Sequence, residues 1–201
     1  DRLEIHPAGK NHNGHGMGFG DINGDGLEDI VYESGWYERP AGDPFSEPWK
    51  RHADWHHAGS SCPIIVRDLN NDGRNDMILG RGHDYGLYWM EQLNPAADGT
   101  TKWKQHLIDD SFSQSHALHW VDIDADGHGE LVTGKRVRAH SGGDPGAGDV
   151  AEMYCYRWYG RSQAFVRYTI SSGQVGTGLQ IRDGDLNGDG LADLVVSGKS
   201  G

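Results

Sequence analysis

DINGDGLED, residues Asp21–Asp29, decides the fold, because the same pattern returns three more times. It reads DLNNDGRND at Asp68–Asp76, DIDADGHGE at Asp122–Glu130 and DLNGDGLAD at Asp185–Asp193. The starts lie 47, 54 and 63 residues apart, and all four copies share D-x-[ND]-x-D-G-x-x-[DE]. Self-similarity at such a period is the signature of a repeat architecture.

The flanks repeat with the motif. Each copy is followed by a short apolar run: Ile30–Tyr32, Met77–Leu79, Leu131–Thr133 and Leu194–Val196. Such β-rich runs bounded by glycine read as buried strands. An aromatic strand comes next, at Gly35–Glu38, Leu87–Glu91 and Met153–Tyr156, then a fourth at Trp49–His52, Trp103–Ile108 and Phe165–Ile170. A further strand leads into each motif, at Gly16–Gly20, Pro63–Arg67, Ala117–Val121 and Leu179–Arg182. Four strands per unit of about 50 residues is the arithmetic of a propeller blade. The expected fold is all-β: a β-propeller of four-stranded antiparallel blades, with three full blades and partial blades at both ends. The blades fall at residues 15–56, 57–110, 113–171 and 175–201 of one domain, or of a portion of one, with Arg2–Ile5 as a leftover fourth strand.

The motif supplies oxygens to a hard cation. Ca²⁺ takes 6–8 oxygen ligands at about 2.3–2.6 Å. Positions one, three and five of a tight loop aim side-chain oxygens at one centre, and glycine at position six permits the turn. A carbonyl at position seven and the acid at position nine complete the set. The candidate ligands are Asp21, Asn23, Asp25, Leu27 and Asp29 in the first loop, and Asp68, Asn70, Asp72, Arg74 and Asp76 in the second. The third offers Asp122, Asp124, Asp126, His128 and Glu130, and the fourth Asp185, Asn187, Asp189, Leu191 and Asp193. An EF-hand needs Glu at position twelve and flanking helices; position twelve here is Tyr32, Leu79, Thr133 and Val196. A plain Asp/Asn/Gly turn explains one copy as well as calcium does, but not four copies with a ninth-position acid.

These motifs resemble the FG-GAP/VCBS propeller repeats of extracellular proteins, whose calcium loops are similar to those of the integrin head. The resemblance implies about four structural Ca²⁺ ions and a secreted, periplasmic or cell-surface location. It also implies a ring of about seven blades, completed by further chain or by a second copy; a four-bladed ring closed by the N-terminal strand stays open beside it. Asp1 is not a natural start, so a processed N-terminus is expected.

Net charge is -12 and mean hydropathy -0.70. Four bound Ca²⁺ would offset eight of those charges, so the acidity is largely ligand inventory. It excludes general nucleic-acid binding, which wants a basic face. No apolar run approaches a membrane span of about 18 residues. Cys62 and Cys155 fall on different strand types of different blades, so no disulfide is expected between them.

Two groups carry possible chemistry. Six residues before the first three motifs stand His15, Cys62 and His116; equal register suggests a second, transition-metal site there, against separate polar residues on a channel wall. After the second strands come Arg81 and His83, then Lys135, Arg136, Arg138 and His140, then Lys199. Such cations suit the carboxylates of an acidic sugar, and His83, Tyr85 or His140 is placed to remove an adjacent proton; a solvated rim is the plainer reading. The Gly-rich stretch Ser141–Val150 reads as a functional loop or a spacer. Recurring His52 and His106 read as blade packing, and Trp36, Tyr37, Tyr88 and Trp89 as core rather than sugar-stacking platforms.

Fold alone does not choose a function. The expected role is a carbohydrate-related binding module with an acidic carbohydrate or a protein as partner. Open beside it are a carbohydrate-active enzyme, since related calcium propellers occur in polysaccharide lyases and sugar dehydratases, and an adhesion or scaffold propeller.

Overall fold

The computed structural model describes residues 3–9 and 14–198. Strands β1 (Met17–Gly20), β2 (Asp29–Tyr32), β3 (Gly35–Glu38) and β4 (Lys50–His52) form the first antiparallel sheet. The second holds β5 (Ile65–Arg67), β6 (Asp76–Gly80), β7 (Tyr85–Leu93) and β8 (Lys102–Ser113). The third holds β9 (His119–Val121), β10 (Glu130–Gly134), β11 (Glu152–Tyr159) and β12 (Ala164–Ser172). A two-stranded sheet of β13 (Gln180–Gly184) and β14 (Asp193–Ser197) follows. Each sheet is a simple meander in chain order, and the acidic motif forms the turn between its first two strands. The one helical element among the described residues is a 3₁₀ turn at Ala139–Gly142.

Successive sheets pack on one another. Ile22, Val31, Trp36, Ile64, Met77 and Met90 join the first to the second. Ile78, Trp89, Leu118, Leu131, Tyr154 and Tyr156 join the second to the third, and Val121, Val132, Met153 and Ile181 join the third to the last. Every residue of β6 and β10 is buried. That is why the second strands read as unbroken apolar runs: each lies between two neighbouring sheets and has no solvent face. The arrangement fits a propeller-like fold.

At the first junction β1 runs against the second sheet without side chains in between. A Cβ on Gly18 would lie 2.1 Å from the Ile64 carbonyl oxygen, closer than any side chain tolerates. Ile64 N–H donates to the Met17 carbonyl there.

The recurring histidines of the fourth strands pack as expected. His52 stacks on Trp36 at 4.1 Å between ring centroids with its Nε2 2.7 Å from Glu38 Oε2. His106 stacks on Trp89 at 4.2 Å with its Nε2 2.7 Å from Glu91 Oε2. Trp36, Tyr37 and Trp89 are buried and Tyr88 half-buried, so these aromatics are core.

One strand expectation fails. Leu3–Ile5 forms no strand, and Leu3 and Ile5 are 96% and 93% exposed, because no described strand edge pairs with them. Arg2 lies outside the described residues. Cys62 and Cys155 are free.

Candidate metal centres

The four acidic loops share one backbone. The glycine at position six has φ between 85° and 87° in every copy (Gly26, Gly73, Gly127, Gly190), a left-handed conformation that favours glycine. Position four is left-handed as well, at Gly24, Asn71, Ala125 and Gly188. The first-position carboxylate closes each turn: Asp21 Oδ2 accepts from Gly26 N–H at 2.8 Å, and Asp68, Asp122 and Asp185 accept from their equivalent glycines at 2.9–3.0 Å. Backbone N–H donors at Gly190 and Gly188 hold the Asp185 carboxyl below the usual range.

The ninth-position acid latches the loop to the sheet. Ile22, Leu69, Ile123 and Leu186 donate their N–H groups to Asp29, Asp76, Glu130 and Asp193. In the first two sheets the other oxygen takes a further backbone N–H, from Arg39 just after β3 at 2.9 Å and from Gln92 in β7 at 2.8 Å. Asp29 and Asp76 are wholly buried, and burial pushes both carboxyls up to about 6 against these bonds. The first loop is also clamped from the second sheet: Asn75 donates to the Asp21 carbonyl at 2.8 Å and Gln92 to the Ile22 carbonyl at 2.9 Å.

The donor set fits a hard divalent cation, since each loop presents carboxylate and carbonyl oxygens at one turn, joined by an amide oxygen from Asn23, Asn70 and Asn187 in the first, second and fourth loops. In the third loop Asp122, Asp124 and Glu130 bring carboxylate oxygens within 4.8 Å of one another. The loops are not equivalent, however. Arg74 bonds Asp72 in the second loop, and Arg157 bonds Asp124, Asp126 and Glu130 in the third. Among the described residues the carboxylates of the first and fourth loops have no ion-pair partner.

At the opposite end of the sheets a second cluster forms. His15 precedes β1, His83 sits in the β6–β7 turn and His116 precedes β9. Their Nε2 atoms converge: His15 lies 3.1 Å from His83 and 3.0 Å from His116. Behind them, His15 Nδ1 is 2.6 Å from the Ser60 carbonyl oxygen and His83 Nδ1 is 3.1 Å from Asp144 Oδ2. Burial, with the charge of Arg136 and the neighbouring histidines, pushes His116 down to about 4.

Cys62 does not join this cluster, and its place goes to His83. Ser60 bridges to Arg81 and Ser61 N–H donates to Gly80 O, which leaves the Cys62 side chain exposed at the rim. Antiparallel pairing explains the exchange: residues before a first strand meet residues after the second, so the two groups in the sequence are one neighbourhood.

The cationic group divides. Lys135 and Arg136 are buried, 1% and 7% exposed, rather than solvated. Lys135 Nζ is 3.2 Å from Ser113 Oγ, and Arg136 Nε has no hydrogen-bond partner. Arg81 donates to the Ala58 carbonyl at 2.7 Å, Arg138 is exposed, and Lys199 lies outside the described residues. The stretch Ser141–Val150 contributes two residues with no motif of their own. Asp144 holds both His83 and His140, and Asp149 accepts from the Tyr85 hydroxyl at 2.5 Å. That bond raises the pKa of Tyr85. His140 stacks flat on His83 at 4.5 Å.

No helix is long and apolar enough to cross a membrane among the described residues. A search of curated proteins finds no match to the chain. Residues 68–133 match the family model described as an FG-GAP-like repeat. The matched segment runs from the first residue of the second acidic loop into β10, the strand that follows the third loop. This chain therefore carries an FG-GAP-type repeat.

Proposed function

We propose that the chain forms calcium-stabilised blades of an extracellular β-propeller, an interaction module that takes an anionic ligand, an acidic carbohydrate, at the end opposite the calcium loops. Millimolar calcium outside cells suits such loops. Closing a ring requires further blades, or a second copy, over the outer faces that expose Phe19 and Val195, 60% and 50% accessible.

The observation that carries the ligand class is Arg136. Its guanidinium cannot shed its charge, yet it is buried, its Nε is unpartnered, and it makes no ion pair among the described residues. Asp144 attracts it from beyond ion-pair distance, and a buried charge without a directly paired counter-charge is costly. A planar carboxylate from a uronate supplies both the charge and the fork-shaped acceptor. Arg138 and His140 border the same end from exposed positions.

The test is calorimetric titration of the calcium-loaded protein with oligouronates and with neutral oligosaccharides. Binding confined to the uronates, and weakened tenfold or more in Arg136→Gln, supports the reading. No binding by folded, calcium-loaded protein, or binding indifferent to Arg136→Gln, contradicts it.

A second reading is elimination on such a sugar. The Tyr85–Asp149 and His140–Asp144 pairs favour it, because each couples an acid–base group to a carboxylate. Its test is the rising ultraviolet absorbance of unsaturated uronate, abolished in His140→Ala. A flat trace removes it.

A further inference from the structure

His15, His83 and His116 come from three separate parts of the chain and meet at their Nε2 atoms, all within 4.8 Å of one another. The opposite nitrogens fix the tautomers. A carbonyl oxygen only accepts, so His15 Nδ1, 2.6 Å from Ser60 O, carries hydrogen. A carboxylate likewise accepts, so His83 Nδ1, 3.1 Å from Asp144, carries hydrogen. A neutral imidazole has one N–H. His15 and His83 therefore turn lone pairs toward each other across 3.1 Å. His116 can relieve its own contact with His15 by donating from Nε2, but the contact between His15 and His83 remains. Two facing lone pairs repel unless a cation sits between them, either a second proton on one ring or a metal ion that all three rings share.

We infer that His15, His83 and His116 hold a divalent transition ion of the zinc class through their Nε2 atoms. Imidazole nitrogen suits zinc, copper, nickel and iron; calcium takes oxygen. Tetrahedral zinc at about 2.0–2.1 Å from each nitrogen separates its ligands by about 3.3 Å. Two of the three separations, 3.0 and 3.1 Å, reach that value with a shift of a few tenths of an ångström, and the third, between His83 and His116, lies within 4.8 Å.

The surroundings are those of a metal site. His83 leans on Asp144 as metal-bound histidines lean on a carboxylate, which fixes the ring and strengthens the ligand. Asp144 is thus a positioning residue. His140 covers the other face of His83, with ring planes 6° from parallel. Three protein ligands leave a position for water or a ligand oxygen, and His15 and His83 are half-buried rather than sealed. The inference is independent of the anionic-ligand reading: it stands on the histidines alone.

The test uses the full chain, stripped with a chelator, reloaded with excess calcium, then titrated with Co²⁺ and followed by visible absorption, with Zn²⁺ as competitor. One Co²⁺ per chain, with the intense bands of a four- or five-coordinate nitrogen site displaced by Zn²⁺, is expected. His83→Ala and His116→Ala lose the bands. Asp144→Asn, which keeps the ligands, weakens binding about 10–100-fold. That variant, with circular dichroism as a check on folding, serves as well if a histidine variant fails to fold. His140→Ala retains the bands. No bands in folded wild-type protein overturn the inference, and so does loss in His140→Ala with retention in His116→Ala, which would move the site to His83, His140 and Asp144.

Discussion

Arg157 donates from Nη2 to the Asp124 carboxylate at 2.6 Å, which sets a guanidinium against the third acidic loop. Its Nε donates to Glu130 at 3.2 Å and it reaches Asp126 as well. Those three carboxylates raise the Arg157 pKa against the opposing effect of desolvation. The four loops share one backbone but not one charge balance, because Arg74 pairs with one carboxylate of the second loop and Arg157 with three of the third.

Arg157→Gln should therefore lower the melting temperature, and more in calcium-free than in calcium-saturated buffer. A bound ion supplies the charge that the arginine otherwise gives. Thermal unfolding of both proteins in both buffers measures the difference. An equal drop in the two buffers would show that Arg157 and the ion do not share those carboxylates.

The stack of His106 on Trp89 recurs as His52 on Trp36, each closed by a glutamate. His106→Ala and His52→Ala should each cost roughly 1–2 kcal/mol in urea unfolding, through lost aromatic contact and a stranded carboxylate. The two units sit in different sheets, so the losses should add. Losses near zero would return both histidines to the solvated surface.

Burial pushes His57 down to about 4, with the charges of Arg81 and His56 acting in the same direction. Its Nε2 is buried without a partner. The folded pKa lies below the unfolded value of 6.5. Between those values the unfolded chain binds a proton that the folded chain refuses, so stability falls as pH drops through that window. One such proton is worth at most about 1.4 kcal/mol per pH unit. His57→Phe should flatten the stability profile between pH 6.5 and 4 relative to wild type. An unchanged slope would place the acid sensitivity elsewhere.

Much of this was legible in the sequence. Every strand from β1 to β14 falls on a run that period and punctuation mark out, because each blade buries the same positions. What the sequence hides is the meeting of segments. His15 and His116 share a register and His83 does not; only the pairing of β5 with β6 brings it to them. Asp144 sits in a Gly-rich stretch that reads equally as a functional loop or a spacer, and no motif announces its bonds to His83 and His140. Lys135 and Arg136 look like a solvated rim because charge predicts exposure, but packing against Thr177 and Ser113 encloses them. Arg157, on an ordinary strand, gains meaning only from the loop beside it.

The most direct test of the account is thermal unfolding with excess calcium and with excess chelator. Each site filled at a hundred times its dissociation constant adds about 2.7 kcal/mol of stability. The account predicts a melting temperature that falls substantially in chelator and returns when calcium is restored. A melt that is the same in both buffers would contradict it, and the four loops would then be turns held by their own hydrogen bonds.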